Sequence, residues 1–115
     1  MDINALRKAG LRTSKAQLDL DSYRRDLWPR NTLQMHREGV QPDAPALAVW
    51  PENAEQISTA LAWAQQEGVS VVPYGAGSGV CGGAAGRRGS LVIDTKRMRR
   101  IIQVDHEART AHVQA

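Results

Sequence analysis

Val71-Val-Pro-Tyr-Gly-Ala-Gly-Ser-Gly-Val-Cys-Gly-Gly-Ala84 carries a short β-branched run straight into a segment with five glycines among the eleven residues from Tyr74 to Ala84. Glycine loses more backbone freedom on folding than any other residue, so such a cluster needs a local reason. One reason is a backbone that turns with positive φ and brings several N–H groups up to an anion. The other is a tight surface turn. What precedes the loop bears on the choice. Val69 to Pro73 reads as a buried strand, and a helix from Ala54 to Glu67 stands before it. Asn53 occupies the N-cap position with Gln56 as its capping partner. Ala54, Ile57, Ala60, Leu61 and Ala64 recur at helical spacing, and Gly68 falls where a left-handed residue ends a helix. Ala46 to Trp50, closed by Pro51, is an earlier apolar strand. Strand, helix and strand in this order predict a parallel pair with a right-handed crossover. A glycine-rich loop at the carboxyl end of such a strand lies where α/β proteins bind ligands, which favours a phosphate-bearing cofactor over a plain turn.

Beyond the loop, Ser90 to Asp94 reads as a third buried strand, and Ile101–Asp105 and Thr110–Gln114 read as two strands joined by a turn at His106–Arg109. Before Pro45 the chain is polar and charged, with short helices expected at Asn4–Ala9 and Arg30–Arg37 and no marked amphipathic stripe. This reads as a helical extension, residues 1–44, that packs on something else, with the domain proper at 45–115. The last strand runs into the end of the sequence, so the chain reads as the first part of a longer domain.

Several classes are disfavoured. Gly77-Ser-Gly-Val-Cys-Gly82 fits G-x-G-x-x-G, but Gly83-Ala-Ala-Gly-Arg-Arg-Gly89 is poor helix material, and Asp94 comes twelve residues after Gly82 instead of the roughly 20 expected of a dinucleotide fold. No Gly-Lys-Ser/Thr occurs, which excludes a P-loop. The net charge of +3 comes from dispersed arginines, with three Trp, two Tyr and no Phe, so nucleic acid is not expected as a partner. One cysteine in 115 residues excludes an internal disulfide. No apolar stretch approaches the roughly 20 residues of a membrane span, and the N-terminus lacks a signal-peptide core, so a cytoplasmic location is expected. His36, His106 and His112 lack metal-site spacing, and the last two read as a turn and a strand residue. Asp94 and Asp105 read as turn formers, Trp28, Trp50 and Trp63 as packing residues, and Arg87 and Arg88 as solvated.

Val49-Trp-Pro-Glu-Asn-Ala-Glu-Gln-Ile57, the glycine-rich segment, Leu91-Val-Ile-Asp-Thr-Lys-Arg-Met98 and Val104-Asp105, taken in order, resemble the start of a PCMH-type (vanillyl-alcohol-oxidase-like) FAD-binding domain. The similarity points to the branch of D-lactate dehydrogenase, glycolate oxidase subunit and alkyldihydroxyacetonephosphate synthase. It covers about residues 45–115, with a weaker echo at Tyr23-Arg-Arg-Asp26. The resemblance implies an α+β fold: part of an FAD-binding domain with a β-α-β unit, a glycine-rich loop and following strands. It also implies that Tyr74, Gly75, Ala76, Gly77, Ser78, Gly79 and Val80 line the FAD diphosphate, while Gly82, Gly83 and Ala84 approach the flavin. Ser78 stands where relatives often carry Thr. No His occupies the loop, so non-covalent FAD is expected, and Cys81 is expected to be a small buried filler. The alternative for Cys81 is a reactive thiol or a flavin link, against which stands the lack of any Lys or His within several residues to lower its pKa. Relatives draw their catalytic groups from later parts of the protein, so no residue here is given a catalytic role. The expected parent is an FAD-dependent oxidoreductase acting on a small 2-hydroxy acid, with weak or absent FAD affinity in this chain alone. The alternatives are an alkyldihydroxyacetonephosphate synthase type, towards which Asp26-Leu-Trp-Pro29 leans, a non-enzymatic nucleotide-binding or interaction module, and an inactive gene remnant.

Overall fold

The structure is a computed structural model and describes residues 2–114. In chain order the elements are α1 (Asn4–Lys8), β1 (Arg12–Ser14), α2 (Gln17–Asp21), α3 (Pro29–Glu38), β2 (Leu47–Trp50), α4 (Ala54–Gln66), β3 (Val71–Tyr74), β4 (Leu91–Asp94), a 3-10 turn (Thr95–Arg97), β5 (Ile101–Asp105) and β6 (Thr110–Val113). The mixed α+β class agrees with the sequence reading. Among the described residues, no helix is long and apolar enough to cross a membrane.

Four strands form one sheet in the order β1-β2-β4-β3. The expected pairing of the strands flanking α4 is corrected here. β2 and β3 run parallel but do not touch, because β4 lies between them and pairs with both. The reason is legible in the residues. All four residues of β4 are buried, as a central strand requires. β3 contains Pro73, which has no N–H to give a second neighbour and is therefore confined to an edge.

Side-chain alternation divides the central strands between two apolar layers. Leu47, Val49, Leu91 and Ile93 face α1 and α4, where they meet Leu6, Leu11, Ala60, Trp63 and Ala64. Ala48, Val72, Tyr74 and Val92 face the other way, against Leu20 and Tyr23. The segment before Pro45 thus covers both faces of the sheet and adds β1, antiparallel to β2, as its second edge. The surface on which these residues pack is the domain's own sheet.

α4 follows its sequence signals closely. The Asn53 side chain accepts from the Gln56 N–H at 2.9 Å, and Gln56 Oε1 accepts from the Glu52 N–H at 2.8 Å, one residue before the usual capping-box donor. Gly68 has φ +65° just past the C-terminus. Two members of the expected stripe are corrected: Ala54 is exposed and Leu61 half-exposed, and Trp63 takes the inward position, its indole N–H donating to the Asp2 carbonyl at 2.8 Å. β5 and β6 form a separate hairpin. Asp105 accepts from the Ala108 N–H at 2.8 Å and Arg109 adopts φ +53°, so the turn at His106–Arg109 is present. Ile101, Ile102, Val104 and Val113 on this hairpin are exposed.

Leu6 is fully buried although it lies far from the glycine-rich segment in sequence. Leu6→Ala is expected to cost about 2–5 kcal/mol in chemical denaturation, whereas Leu18→Ala, at an exposed position, stays within about 0.5 kcal/mol. Equal effects would show that the N-terminal segment is peripheral to the core.

Candidate functional site

Because β2, β3 and β4 are parallel, their last residues, Trp50, Tyr74 and Asp94, come to one side of the sheet. The glycine-rich segment leaves β3 at that side. A tight turn would close on itself through its own backbone hydrogen bonds, yet the first bond within the loop is Ala85 N–H to Gly82 carbonyl at 3.4 Å. Among the described residues, no backbone N–H from Ala76 to Ala84 donates to a protein acceptor. Ser78, Gly79, Val80 and Cys81 are exposed, so the segment that carries these donors is open to a ligand. A succession of such N–H groups is the concavity in which proteins bind phosphate.

The glycines divide into two sets. Gly77 and Gly82 have φ +69° and +79°, where a side chain is strained. A Cβ on Gly77 would also overlap the Tyr74 hydroxyl, and one on Gly82 would lie 2.6 Å from Trp28 Cε3. On Gly86 it would sit 2.6 Å from the Tyr23 carbonyl oxygen. These three are needed for packing. At Gly75 and Gly83, by contrast, a Cβ would meet nothing within 4 Å and φ is not left-handed, so neither packing nor turn geometry requires a glycine there.

Two of those contacts, at Gly82 and Gly86, involve a strap, Tyr23–Trp28, whose importance the sequence reading missed beyond its weak echo at Tyr23-Arg-Arg-Asp26. The Tyr23 carbonyl accepts from Gly86 N–H at 2.6 Å, and Leu27 N–H donates to the Gly79 carbonyl at 2.9 Å. The Tyr23 hydroxyl donates to Asp94 Oδ2 at 2.6 Å in a buried setting. Burial, reinforced by the Asp94 carboxylate, pushes the Tyr23 phenol well above its ordinary pKa, so it acts as a donor. Its ring meets Tyr74 edge-on at 4.8 Å between centroids. Lys96 Nζ lies 2.9 Å from Asp94 Oδ2 and over both tyrosine rings. Asp94 is thus fully buried and also accepts from the Lys96 N–H at 2.9 Å; it caps the 3-10 turn and anchors the strap.

An open cleft of about 560 Å³ lies between strap and loop, lined by Arg25, Asp26, Leu27, Tyr74, Ala76 and Gly77 among others. That volume falls within the usual range for a small-molecule site, roughly 300–1,000 Å³. A second cleft, about 510 Å³, holds Arg12, Lys96, Arg97 and Arg99 with Trp50 and Glu52; Arg97 is paired to Glu52 at 2.6 Å.

The remaining candidates separate clearly. Cys81 is exposed, which corrects the expectation of a buried filler: the loop stands away from the sheet there and offers no interior to fill. Arg87 and Arg88 are exposed, and Arg88 reaches Asp43 at 3.2 Å in a solvent-screened pair. Trp28 packs beneath Gly82, Trp50 against Tyr23, and Trp63 in the core. No group of three His, Cys, Asp or Glu residues able to hold a metal occurs among the described residues.

Comparison with known proteins gives consistent results. The chain is 37% identical over 70 residues to a glycolate oxidase subunit of Bacillus subtilis, covering 61% of this chain and 15% of that protein. It is 32% identical over 105 residues to a D-2-hydroxyglutarate dehydrogenase of Xanthomonas citri, covering 91% and 20%. A Trypanosoma brucei alkyldihydroxyacetonephosphate synthase is 33% identical over 113 residues, with 85% and 18% covered. The chain therefore spans at most about a fifth of the length of these relatives. A solved alkyldihydroxyacetonephosphate synthase superposes with a TM-score of 0.76 at 23% identity, over 99% of this chain and 24% of that one. Substrate-bound p-cresol methylhydroxylase gives 0.66 at 20% identity, over 90% and 19%. Both likenesses show the fold. The family model for the FAD binding domain matches residues 45–115, from the strand before α4 through the glycine-rich loop to the hairpin, and the chain belongs to that family.

Proposed function

We propose that the glycine-rich segment binds FAD, Tyr74–Val80 along the diphosphate and Gly82–Ala84 towards the flavin, within a flavin-dependent oxidoreductase whose substrate is a small 2-hydroxy acid. The observation that carries this reading is the run of backbone N–H groups, Ala76 to Ala84, without protein acceptors. Two phosphates present several acceptor oxygens and negative charge, and a run of amides on a glycine backbone supplies donors without a side chain in the way. The open positions at Gly75 and Gly83 suit close approach of a ligand. The residues present therefore fit the group. Ser78 adds a hydroxyl donor on the exposed side. When bound, the flavin supplies the redox chemistry; this chain supplies binding and orientation.

The substrate class rests on the names of two relatives, a glycolate oxidase subunit and a D-2-hydroxyglutarate dehydrogenase, both named for 2-hydroxy acids. A second reading is an alkyldihydroxyacetonephosphate synthase type, supported by the match to that relative across 85% of this chain. With no His between Tyr74 and Ala84, we assign non-covalent attachment.

Titration of the chain with FAD, followed by flavin fluorescence, is expected to give weak but saturable binding. Acid precipitation should leave all the flavin in the supernatant. Absence of saturable binding at millimolar FAD both by this chain and by the protein extended to the length of its relatives would remove the cofactor reading, and flavin retained in the pellet would overturn the non-covalent assignment. Gly83→Val is expected to change folding stability by less than about 0.5 kcal/mol, since its side chain enters open space, while weakening FAD by about tenfold, or about 1.4 kcal/mol. Gly82→Ala, which meets Trp28 at positive φ, should instead lower stability by about 1–3 kcal/mol. If Gly83→Val leaves FAD affinity intact, the open side of the loop is not the ligand side.

A further inference from the structure

Asp26 is the feature of the strap that folding alone does not explain. Its side chain is buried, with 4% exposure. Oδ1 accepts from the Trp28 N–H at 3.0 Å, which fixes the turn into α3. Oδ2 is buried and has no hydrogen-bond partner in the protein, the one such side-chain atom among the described residues. An acceptor left in this state is costly, more so when it belongs to a carboxylate, and such an atom calls for a specific reason. Directly opposite it lies the glycine-rich loop: Oδ2 is 3.5 Å from the place where a Gly79 Cβ would stand. The adjoining Leu27 N–H already holds the Gly79 carbonyl at 2.9 Å. A buried acceptor without a donor thus faces a run of donors without acceptors.

We propose that Asp26 is the positioning residue of the glycine-rich loop: in the cofactor-bound state its Oδ2 accepts a backbone N–H from the segment Gly79–Cys81, and this contact sets the direction of the neighbouring amides towards the diphosphate. The inference rests on the FAD reading of the loop. A small rotation of peptide planes is enough, since glycines at 77, 79 and 82 leave the segment conformationally permissive. Asp26 also lines the cleft that Ala76 and Gly77 line, so its charge stands on the ligand side of the strap. That charge makes the proposal easy to separate from its rival. If Asp26 acted on a diphosphate only through its field, it would repel it, and neutralising it would tighten binding.

Asp26→Asn supplies the test. It keeps the shape and one acceptor oxygen but turns the other into an NH₂ donor, so it cannot serve both the Trp28 N–H and the loop N–H. Without FAD, the melting temperature of the variant is expected to equal or exceed that of the native chain, because the buried group without a partner is then a neutral amide and not a carboxylate. FAD binding by fluorescence titration is expected to weaken by about tenfold. A purely structural role would lower both stability and affinity, and a purely electrostatic role would strengthen binding; either result overturns the proposal, as does unchanged affinity. Asp26→Ala, which loses the Trp28 contact as well, should be the less stable of the two variants and bind FAD no better than Asp26→Asn. Tighter FAD binding by Asp26→Asn or Asp26→Ala than by the native chain contradicts the assignment. Failure to bind FAD by the native chain and also by the protein extended to the length of its relatives would be seen in their own titrations and would take down the cofactor reading and this inference together.

Discussion

The hydrogen bond from the Tyr23 hydroxyl to Asp94 Oδ2 spans most of the sequence and joins two parts that no local signal connects. Asp94 ends the central strand, where it pairs with Tyr74 of β3; Tyr23 opens the strap. Their contact is buried, and a hydrogen bond to a charged group in such a setting contributes about 1.5–3 kcal/mol. Lys96 adds to the cluster, but its ammonium is half-exposed, so most of its attraction is screened. With Tyr23 held, the strap carries Leu27 and Trp28 to Gly79 and Gly82, and its own carbonyl to Gly86. The glycine-rich loop therefore takes its position from the opposite end of the sequence as much as from the strand it follows.

A loop can be glycine-rich because its backbone turns sharply or because something must come near it, and these causes coexist in this one. Gly77, Gly82 and Gly86 answer to packing against Tyr74, Trp28 and Tyr23. Gly75 and Gly83 answer to neither packing nor left-handed geometry, and the amides from Ala76 to Ala84 have no protein acceptor among the described residues. The first set holds the loop in place; the second leaves it open. The division gives physical content to a motif whose letters alone also fit a dinucleotide turn.

Much of this was legible in the residues. α4 announced itself through Asn53, Gln56 and Gly68, and the strands around it through short apolar runs, because those signals are local. Pro73 could have placed β3 at an edge, and the wholly apolar Leu91-Val-Ile93 could have placed β4 at the centre; strand order was misjudged because chain order was allowed to stand for spatial order. Leu61 and Trp63 exchanged roles because the helical stripe was drawn without the large indole. β1 and α2 were missed outright. They are three and five residues long, too short for periodicity to register, and are held by tertiary contacts. The strap was harder still. Tyr23 and Asp26 sit in a run of charges that reads as surface, and only the fold brings them beneath the loop.

Hydrogen exchange of individual backbone amides, measured with and without FAD, addresses the central claim most directly. Amides that lack protein acceptors exchange quickly until a ligand occupies them. The account predicts rapid exchange from Ala76 to Ala84 in the free chain and slowed exchange on addition of FAD, centred on that segment, with α4 and β4 already protected in both states. Slow exchange of these amides without ligand, or FAD-dependent protection that falls elsewhere and leaves Ala76–Ala84 unchanged, would contradict it.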